Sequence, residues 1–157
     1  VHGSAELLRP MASVKRFMDL ETSPLLQAAL VEFVRAGHLD RYLAALRTEL
    51  RARHQALQTA CRQHLLAECT ITDPDGGFVA WLELPEPGQG DRLAELALAR
   101  GVRVVAGRAF DQLGRPSRGV RLSLTRASAE QVAAGVRVLG DCARELLTAT
   151  SGARSFV

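Results

Sequence analysis

The chain has 157 residues, of which 47% are hydrophobic and 24% charged, and its formal net charge is +3. This length and apolar content suit one compact domain with a substantial core and leave little room for a second. Arginines alternate with acidic residues and form no basic block, so the charge does not indicate nucleic-acid binding by this chain.

Cysteine usage and hydropathy bear on location. Cys61, Cys69 and Cys142 are odd in number and lie far apart, which favours free buried thiols in a reducing compartment over a disulfide framework. No uninterrupted apolar run is long enough to cross a bilayer, and the amino end lacks a signal-peptide pattern. We therefore expect a cytoplasmic location and no membrane partner.

The amino-terminal segment predicts two short amphipathic helices. Ser4 can cap the first, and Thr22 or Ser23 can cap the second, which has Pro24 at its first position. Gly37 lies where the second helix should end, because glycine readily adopts the left-handed conformation that terminates helices. We expect both helices to present apolar faces that too little of this chain can cover.

The longest periodic segment runs from Leu39 to about Leu65 and predicts one long amphipathic helix. Leucines recur along it at three- and four-residue steps, and most of its arginines fall off that stripe. We interpret these arginines as a solvated or interface face, with Glu49 and Arg53 paired four positions apart.

Beyond Leu65 the apolar pattern changes from helical to alternating, which indicates strands. The predicted strands are Cys69 to Thr72, Phe78 to Leu84, Val102 to Val105 and Val120 to Leu124. The first two flank an Asp-Pro-Asp-Gly-Gly turn and should form a hairpin. Asp91 is expected to cap a short helix between this hairpin and the third strand.

A last helix should begin at Ser128, because Gln131 three residues later completes a capping box. Its predicted buried stripe is Val132, Val136, Leu139, Ala143 and Leu146. From Thr148 onward the chain is small and polar and is expected to fray. Elements in this order form an α/β chain of the α+β type, in which helices cover one face of a small, mostly antiparallel sheet that a long helix precedes.

Arg121 is the candidate binding residue. Side chains alternate along a strand, so Val120, Leu122 and Leu124 share one face while Arg121 and Ser123 point to the other. A guanidinium offers paired donors in a plane that matches two carboxylate oxygens. The same alternation also places ordinary solvated arginines, so the pattern alone allows both interpretations.

The sequence shows no strong motif for nucleophilic catalysis, metal binding or a Schiff-base lysine. The Gly-x-Ser-x-Gly nucleophile pattern does not occur, and His54, Cys61 and His64 lie on one helix with no matching cluster elsewhere, which indicates a helix seam and no metal site. Lys15 is the one lysine, and its place on the polar side of a helix predicts a solvated residue. We expect no catalytic, cofactor-binding or metal-binding residue in this chain.

Five motifs, read together, resemble a known family. They are Pro74-x-Gly-Gly-Phe-x-x-Trp-x-x-Leu-Pro85, Ala99-Arg-Gly-Val102, Gly107-x-x-Phe110, Val120-Arg-Leu-Ser-Leu124 and Ala134-Gly-Val-x-x-Leu139. Their order and spacing resemble the carboxyl-terminal small domain of class I/II aminotransferases of pyridoxal-phosphate fold type I. The stretch Ser23-Pro-Leu-Leu-Gln27 is similar to the same proteins.

The resemblance implies a domain division and site residues. Residues 1–36 would be a helical segment of the large domain or interdomain region, and residues 37–157 would be the small domain. Arg121 matches the arginine that binds the α-carboxylate of an amino-acid substrate. Thr22 and Ser23 match a segment near the subunit interface and the partner's active site in the family's homodimers.

The resemblance also implies pyridoxal phosphate in a full-length parent that binds an amino acid or amine. The family's Schiff-base lysine, the aspartate that pairs with the pyridine nitrogen and the phosphate-binding loop match nothing in this chain and would lie upstream of it. The chain alone is therefore expected to hold no cofactor and to be catalytically inert, since transamination needs that electron sink.

Two kinds of parent fit the resemblance. Leu50, where many of the enzymes have tyrosine, and the runs Leu46–Arg53 and Val138–Asp141 look closer to MocR-type regulators of the GntR family, which would contact DNA only through an upstream winged helix. The alternative is a free-standing aminotransferase acting between amino acids and 2-oxo acids. A second alternative is a non-catalytic interaction domain. Ala106, where a proline commonly precedes the glycine, leaves the shape of the Gly107 loop open.

Overall fold

The structure, a computed structural model, describes residues 2–18 and 22–154, and it forms two compact units, Val1–Ala45 and Leu46–Val157. The elements in chain order are α1 Ala5–Met18, α2 Pro24–Arg35, α3 His38–His64, β1 Thr70–Ile71, β2 Val79–Glu83, α4 Gln89–Ala99, β3 Val105–Ala106, a 3-10 helix Gly107–Phe110, β4 Gly119–Ser123 and α5 Ala129–Arg154. The predicted combination of helices with a small antiparallel sheet is confirmed. The domain division predicted between residues 36 and 37 stays a prediction.

The amino-terminal unit contains the two predicted short helices. At the start of α1 the Leu7 amide donates to the Ser4 hydroxyl at 3.4 Å, as expected of a cap. Ser23 occupies the cap position of α2, but its hydroxyl makes no capping hydrogen bond. Gly37 follows α2 with a φ of +70°, the left-handed conformation predicted there. None of the described residues of α1 or α2 is buried, and Phe17 is 92% exposed.

Helix α3 agrees with the predicted long helix to within one residue at each end. The buried residues on it are Leu57, Ala60 and Cys61. The predicted pair on its polar face is confirmed, with 3.2 Å between Arg53 Nη2 and Glu49 Oε2. No helix in the described ranges is long and apolar enough to span a membrane.

The sheet has the strand order β1-β2-β4-β3 and is antiparallel throughout. The pairing of β1 with β2 confirms the predicted hairpin, although only Thr70–Ile71 of the first segment joins the sheet. At the centre, Arg121 of β4 lies opposite Trp81 of β2 on one side and opposite Val105 of β3 on the other.

One face of the sheet is apolar and buried. The buried side chains of this inner face are Ala80, Leu82, Leu84, Val120, Leu122 and Leu124. They join a single core cluster with buried residues of α3, α4 and α5. Each buried leucine or valine contributes about 1.5–3 kcal/mol relative to exposure, so the core fixes which face of each strand points inward.

The start of α5 confirms the capping box. The Gln131 amide donates to the Ser128 hydroxyl at 3.3 Å, and the Ser128 amide donates to Gln131 Oε1 at 2.9 Å. The predicted stripe is buried throughout: Val132, Val136, Leu139, Ala143 and Leu146. The expected fraying from Thr148 is not observed, because α5 continues to Arg154 and the Thr148 hydroxyl donates to the Arg144 carbonyl at 2.8 Å. The last three residues lie outside the described part.

Two further expectations are wrong. Asp91 does not cap α4, because the helix begins two residues earlier, after Gly88 with a φ of +83°. The strand expected from Val102 is shorter, because the Val102 amide still donates to the Ala97 carbonyl at 2.8 Å and completes the end of α4. The chain therefore enters the sheet only at Val105.

Arg53 connects α3 to the end of β4. Its Nη1 donates to the carbonyl of Leu124 at 2.8 Å and to that of Thr125 at 3.0 Å. The Arg53 side chain is only 16% exposed, so these hydrogen bonds are largely shielded from solvent. The outer partner, Glu49, is 67% exposed and contributes little by comparison.

We expect Arg53→Met to lower the free energy of unfolding by about 1–3 kcal/mol, because it leaves two strand-end carbonyls without their donor while preserving the apolar stem. Urea unfolding followed by circular dichroism measures the change. Glu49→Gln is the matched control and should stay within about 0.5 kcal/mol of the wild type. Equal losses from both variants would place the stabilisation in the exposed ion pair and contradict this account.

Candidate functional site

The second face of the sheet carries the candidate site. The side chains that point to this open face are Val79, Trp81 and Glu83 of β2, and Arg121 and Ser123 of β4. All are exposed or half-buried, in contrast to the inner face. The predicted alternation along β4 is therefore confirmed, and Arg121 lies on the face that is free of the core.

Arg121 is held by an aromatic ring. Its Cζ lies 4.8 Å from the centroid of the Phe110 ring, within the range for a cation–π contact. The Arg121 Nε is buried and has no hydrogen-bond partner among the described residues. A buried donor without an acceptor is unfavourable, and an anionic group from a ligand would satisfy it.

Trp81 lies beside the same ring. The Trp81 and Phe110 rings meet edge to face, with centroids 5.9 Å apart and an angle of 67°. The indole Nε1 donates to Glu83 Oε1 at 3.0 Å. A β-carbon on Gly119 would lie 2.5 Å from that nitrogen, so the ring can occupy this position only because residue 119 is glycine.

The loop of residues 107–118 brings Phe110 to the open face. Ala106 precedes it with φ of −59° and ψ of 138°, which is close to the φ of about −65° that a proline would impose. Ala106 therefore has a φ that a proline at this position would also adopt. Gly107 is equally constrained, because a β-carbon there would lie 2.1 Å from Ser117 Oγ.

A carboxylate organises the tip of this loop. Asp111 Oδ2 accepts hydrogen bonds from Arg115 Nε at 3.0 Å and Nη2 at 2.8 Å, and its Oδ1 accepts from the Leu113 amide at 2.8 Å. These hydrogen bonds, those from Arg115 above all, lower the pKa of Asp111 to about 2. The carboxylate is therefore ionised at neutral pH.

Asp91 anchors the far end of the loop. Its Oδ2 accepts from the Ser117 amide at 3.1 Å, and Arg108 Nε lies 3.7 Å from its Oδ1. The residue predicted to cap α4 thus ties that helix to the segment before β4.

Thr22 and Ser23 lie at the start of α2 in the amino-terminal unit, and both are exposed. The Thr22 carbonyl accepts a hydrogen bond from Gln27 Nε2 at 3.4 Å. These contacts are local to the helix start, so the partner-site role expected for both residues stays a prediction.

His54 and Cys61 of α3 have structural roles. His54 Nε2 donates to the Gly77 carbonyl at 3.1 Å, which ties α3 to the hairpin turn. Burial raises the pKa of the Cys61 thiol to about 11, so it stays protonated. Residues 2–18 and 22–154 contain no group of three side chains that could hold a metal ion.

A family model that describes class I and II aminotransferases matches residues 1–139. The chain belongs to the class I and II aminotransferase family. Members of this family use pyridoxal phosphate. The one lysine, Lys15, is exposed on α1.

Relatives of this aminotransferase-family chain include regulators and enzymes. The uncharacterized HTH-type transcriptional regulator YdcR of Escherichia coli is 31% identical over 88% of this chain and 30% of its own length. The 2-aminoadipate transaminase of Thermus thermophilus is 32% identical over 90% of this chain and 36% of its own length. This chain thus spans about a third of the length of both proteins.

A solved structure shows the same fold. The α-aminoadipate aminotransferase LysN of Thermus thermophilus, complexed with N-(5'-phosphopyridoxyl)-L-leucine, matches with a TM-score of 0.76 and 32% identity. The match covers 93% of this chain and 37% of that one. The predicted small-domain architecture of fold type I is confirmed.

Sequence reasoning found Arg121 but treated Phe110 and Trp81 only as motif positions. Their roles depend on contacts between segments that are far apart in the chain. One signal could have pointed to them, because aromatic residues are scarce at 4% of the chain and three of them, Phe78, Trp81 and Phe110, lie in motifs that precede the arginine.

We expect the stabilisation by Asp111 to depend on pH. Its pKa is lowered from the ordinary 3.8 to about 2, so its contribution is complete above about pH 4 and is lost as the pH falls through about 2. The difference in unfolding free energy between the wild type and Asp111→Asn should therefore be constant from pH 7 to about 4 and then shrink. Denaturant titrations followed by Trp81 fluorescence measure it. A difference that persists unchanged at pH 2 would argue against this assignment.

Proposed function

We propose that this chain is the effector-sensing, aminotransferase-like domain of a pyridoxal-phosphate-binding regulator of the MocR type in the GntR family, and that Arg121 binds the α-carboxylate of an amino-acid ligand. An amine effector would lack this contact. The domain itself performs no transamination in this proposal. It contributes the carboxylate-binding half of a site whose cofactor half lies elsewhere in the complete protein.

The observation that carries the ligand assignment is the state of Arg121. Its guanidinium is oriented by the Phe110 ring, lies on the open face and has a buried Nε without an acceptor. A carboxylate offers two oxygens in the geometry that a guanidinium matches.

Similarity to YdcR supports the regulator assignment, since that protein is an HTH-type transcriptional regulator 31% identical to this chain. Leu50 and the runs Leu46–Arg53 and Val138–Asp141 favour the same choice through their resemblance to MocR-type proteins. DNA would be bound by an upstream winged helix, because the charge of this chain does not indicate a DNA-binding face.

A specific observation also favours a second candidate, a free-standing aminotransferase. The 2-aminoadipate transaminase is as similar as the regulator, and the LysN structure holds an adduct of the cofactor with leucine. In either parent, Arg121 would have the same carboxylate-binding task, so the ligand proposal does not depend on the choice.

We further propose that the complete protein is a cytoplasmic homodimer in which Thr22 and Ser23 lie near the partner's active site. Residues 1–36 would then belong to the large-domain or interdomain region. The exposed apolar side chains of α1 and α2 support this placement, because Phe17 at 92% and Leu25 at 78% exposure are unfavourable in water.

The complete protein that contains this chain distinguishes the candidates. The regulator would be supported if the complete protein bound its own promoter DNA specifically, and if amino acids changed that affinity in the presence of pyridoxal phosphate. Amino transfer from an amino acid to a 2-oxo acid would support the enzyme. Absence of both activities together with no binding of pyridoxal phosphate would overturn both and favour the non-catalytic interaction domain.

For the ligand site, two probes differ only in the carboxylate. One is N-(5'-phosphopyridoxyl)-L-leucine, the adduct in the LysN structure, and the other is the matching isoamylamine adduct, which lacks that group. Arg121→Ala in the complete protein should weaken binding of the leucine adduct by about 1.5–3 kcal/mol, which is the contribution of hydrogen bonds to a charged group. Affinity for the isoamylamine adduct should not change. Isothermal titration calorimetry measures both.

Arg126→Ala is the matched control, because it removes the same charge from an exposed position just beyond β4. The affinities of this variant for the leucine and isoamylamine adducts should equal those of the wild type. If Arg121→Ala bound the two adducts with the wild-type preference, Arg121 would not be the carboxylate-binding residue.

A further inference from the structure

The guanidinium of Arg121 has faces and an edge with different uses. Its donors lie in the plane, so a carboxylate binds along the edge while an aromatic ring contacts a face. The guanidinium carbon Cζ lies over the Phe110 ring, 4.8 Å from the ring centroid. In the described part of the chain no hydrogen bond or ion pair holds this guanidinium, so the ring is what limits its orientation.

Phe110 needs support in turn, because it is 51% exposed and is the last residue of the 3-10 helix. The edge-to-face contact with Trp81 provides it, with 5.9 Å between the ring centroids. An exposed ring without such a neighbour could rotate away from Arg121. The position of the guanidinium therefore depends on Trp81 as well as on Phe110.

Trp81 is the fixed end of this arrangement. Its backbone amide donates to Thr72 Oγ1 at 2.9 Å, and its indole Nε1 donates to Glu83 Oε1 at 3.0 Å. The missing side chain of Gly119 admits the ring, since a β-carbon there would lie 2.5 Å from Nε1. Glu83, Trp81, Phe110 and Arg121 thus form a continuous series of contacts, the aromatic row.

We propose that Phe110 and Trp81 are positioning residues for carboxylate binding by Arg121: the aromatic row holds the guanidinium in place and so limits the directions in which its donors can point to the ligand. This inference rests on the proposed function, because it concerns the same carboxylate. It adds that affinity for the carboxylate depends on two side chains that need not touch it.

The experiment measures, in the complete protein, the preference for N-(5'-phosphopyridoxyl)-L-leucine over the isoamylamine adduct that lacks the carboxylate. Phe110→Leu should lower this preference about three- to tenfold, in keeping with the loss of one cation–π contact. Affinity for the isoamylamine adduct should be unchanged. Phe110→Tyr keeps the ring and should keep the preference.

Trp81→Leu should lower the preference in the same sense, and it should add little in combination with Phe110→Leu, because both act through one contact. If Trp81→Leu does not fold, Glu83→Leu keeps the tryptophan but removes the acceptor of its indole N–H, which frees the ring to move. Leu113→Ala is the control in the same loop, since Leu113 is 77% exposed and outside the aromatic row.

A second readout needs no ligand. Nuclear Overhauser contacts between the Phe110 ring and the Arg121 side chain should be present in the 157-residue chain and in Leu113→Ala, and should be lost in Trp81→Leu or Glu83→Leu. A role confined to stability would lower the melting temperature and leave these contacts intact in the folded fraction.

The outcomes separate the two proposals. If Arg121→Ala abolishes the preference while Phe110→Leu and Trp81→Leu leave it intact, the positioning role is overturned and the proposed function stands. If Arg121→Ala itself has no effect, the proposed function fails and the positioning role fails with it. Loss of the preference in Phe110→Leu with its retention in Phe110→Tyr supports the inference.

Discussion

The side-chain alternation of β4 is the constraint on which the site depends. Val120, Leu122 and Leu124 are 0%, 6% and 2% exposed, and they pack into the single core of the carboxyl-terminal unit. A slip of one residue would bury Arg121 and expose three apolar side chains, at a cost of several kcal/mol. The core therefore fixes the register that places Arg121 opposite Trp81, and the binding face follows from burial on the other side of the same strand.

Glycines contribute to the site because they have no side chain and let two segments approach closely. A β-carbon on Gly90 would lie 2.5 Å from the Gly119 carbonyl oxygen, and one on Gly107 would lie 2.7 Å from the same atom. The start of α4 and the start of the 107–118 loop therefore approach β4 at backbone distance. This close approach brings Phe110 over the open face, so the ring contact with Arg121 depends on these two glycines as well.

The distance along the chain between two residues that contact each other decides whether the contact could be predicted from the sequence. The capping box of Ser128 and Gln131 spans three residues, and the alternation of β4 is local, so both were predictable. Aspartate is a residue type that commonly caps helices, but the hydrogen-bond donor to Asp91 is the amide of Ser117, 26 residues away. Arg53 was paired correctly with its neighbour Glu49, whereas its partner 71 residues away, the Leu124 carbonyl, leaves no trace in the local pattern. The ring contacts of Phe110 were beyond prediction for the same reason.

The two units differ in how their helices are stabilised. Helices of 14 and 12 residues, such as α1 and α2, are marginal in isolation and owe their stability in proteins to the packing of an apolar face. In the carboxyl-terminal unit α5 packs in this way through its buried stripe, but no described residue of α1 or α2 is buried. The apolar faces of α1 and α2 therefore gain little stabilisation from burial among the described residues. Arg121 presents a parallel case in polar terms, since its buried Nε requires an acceptor that those residues also lack.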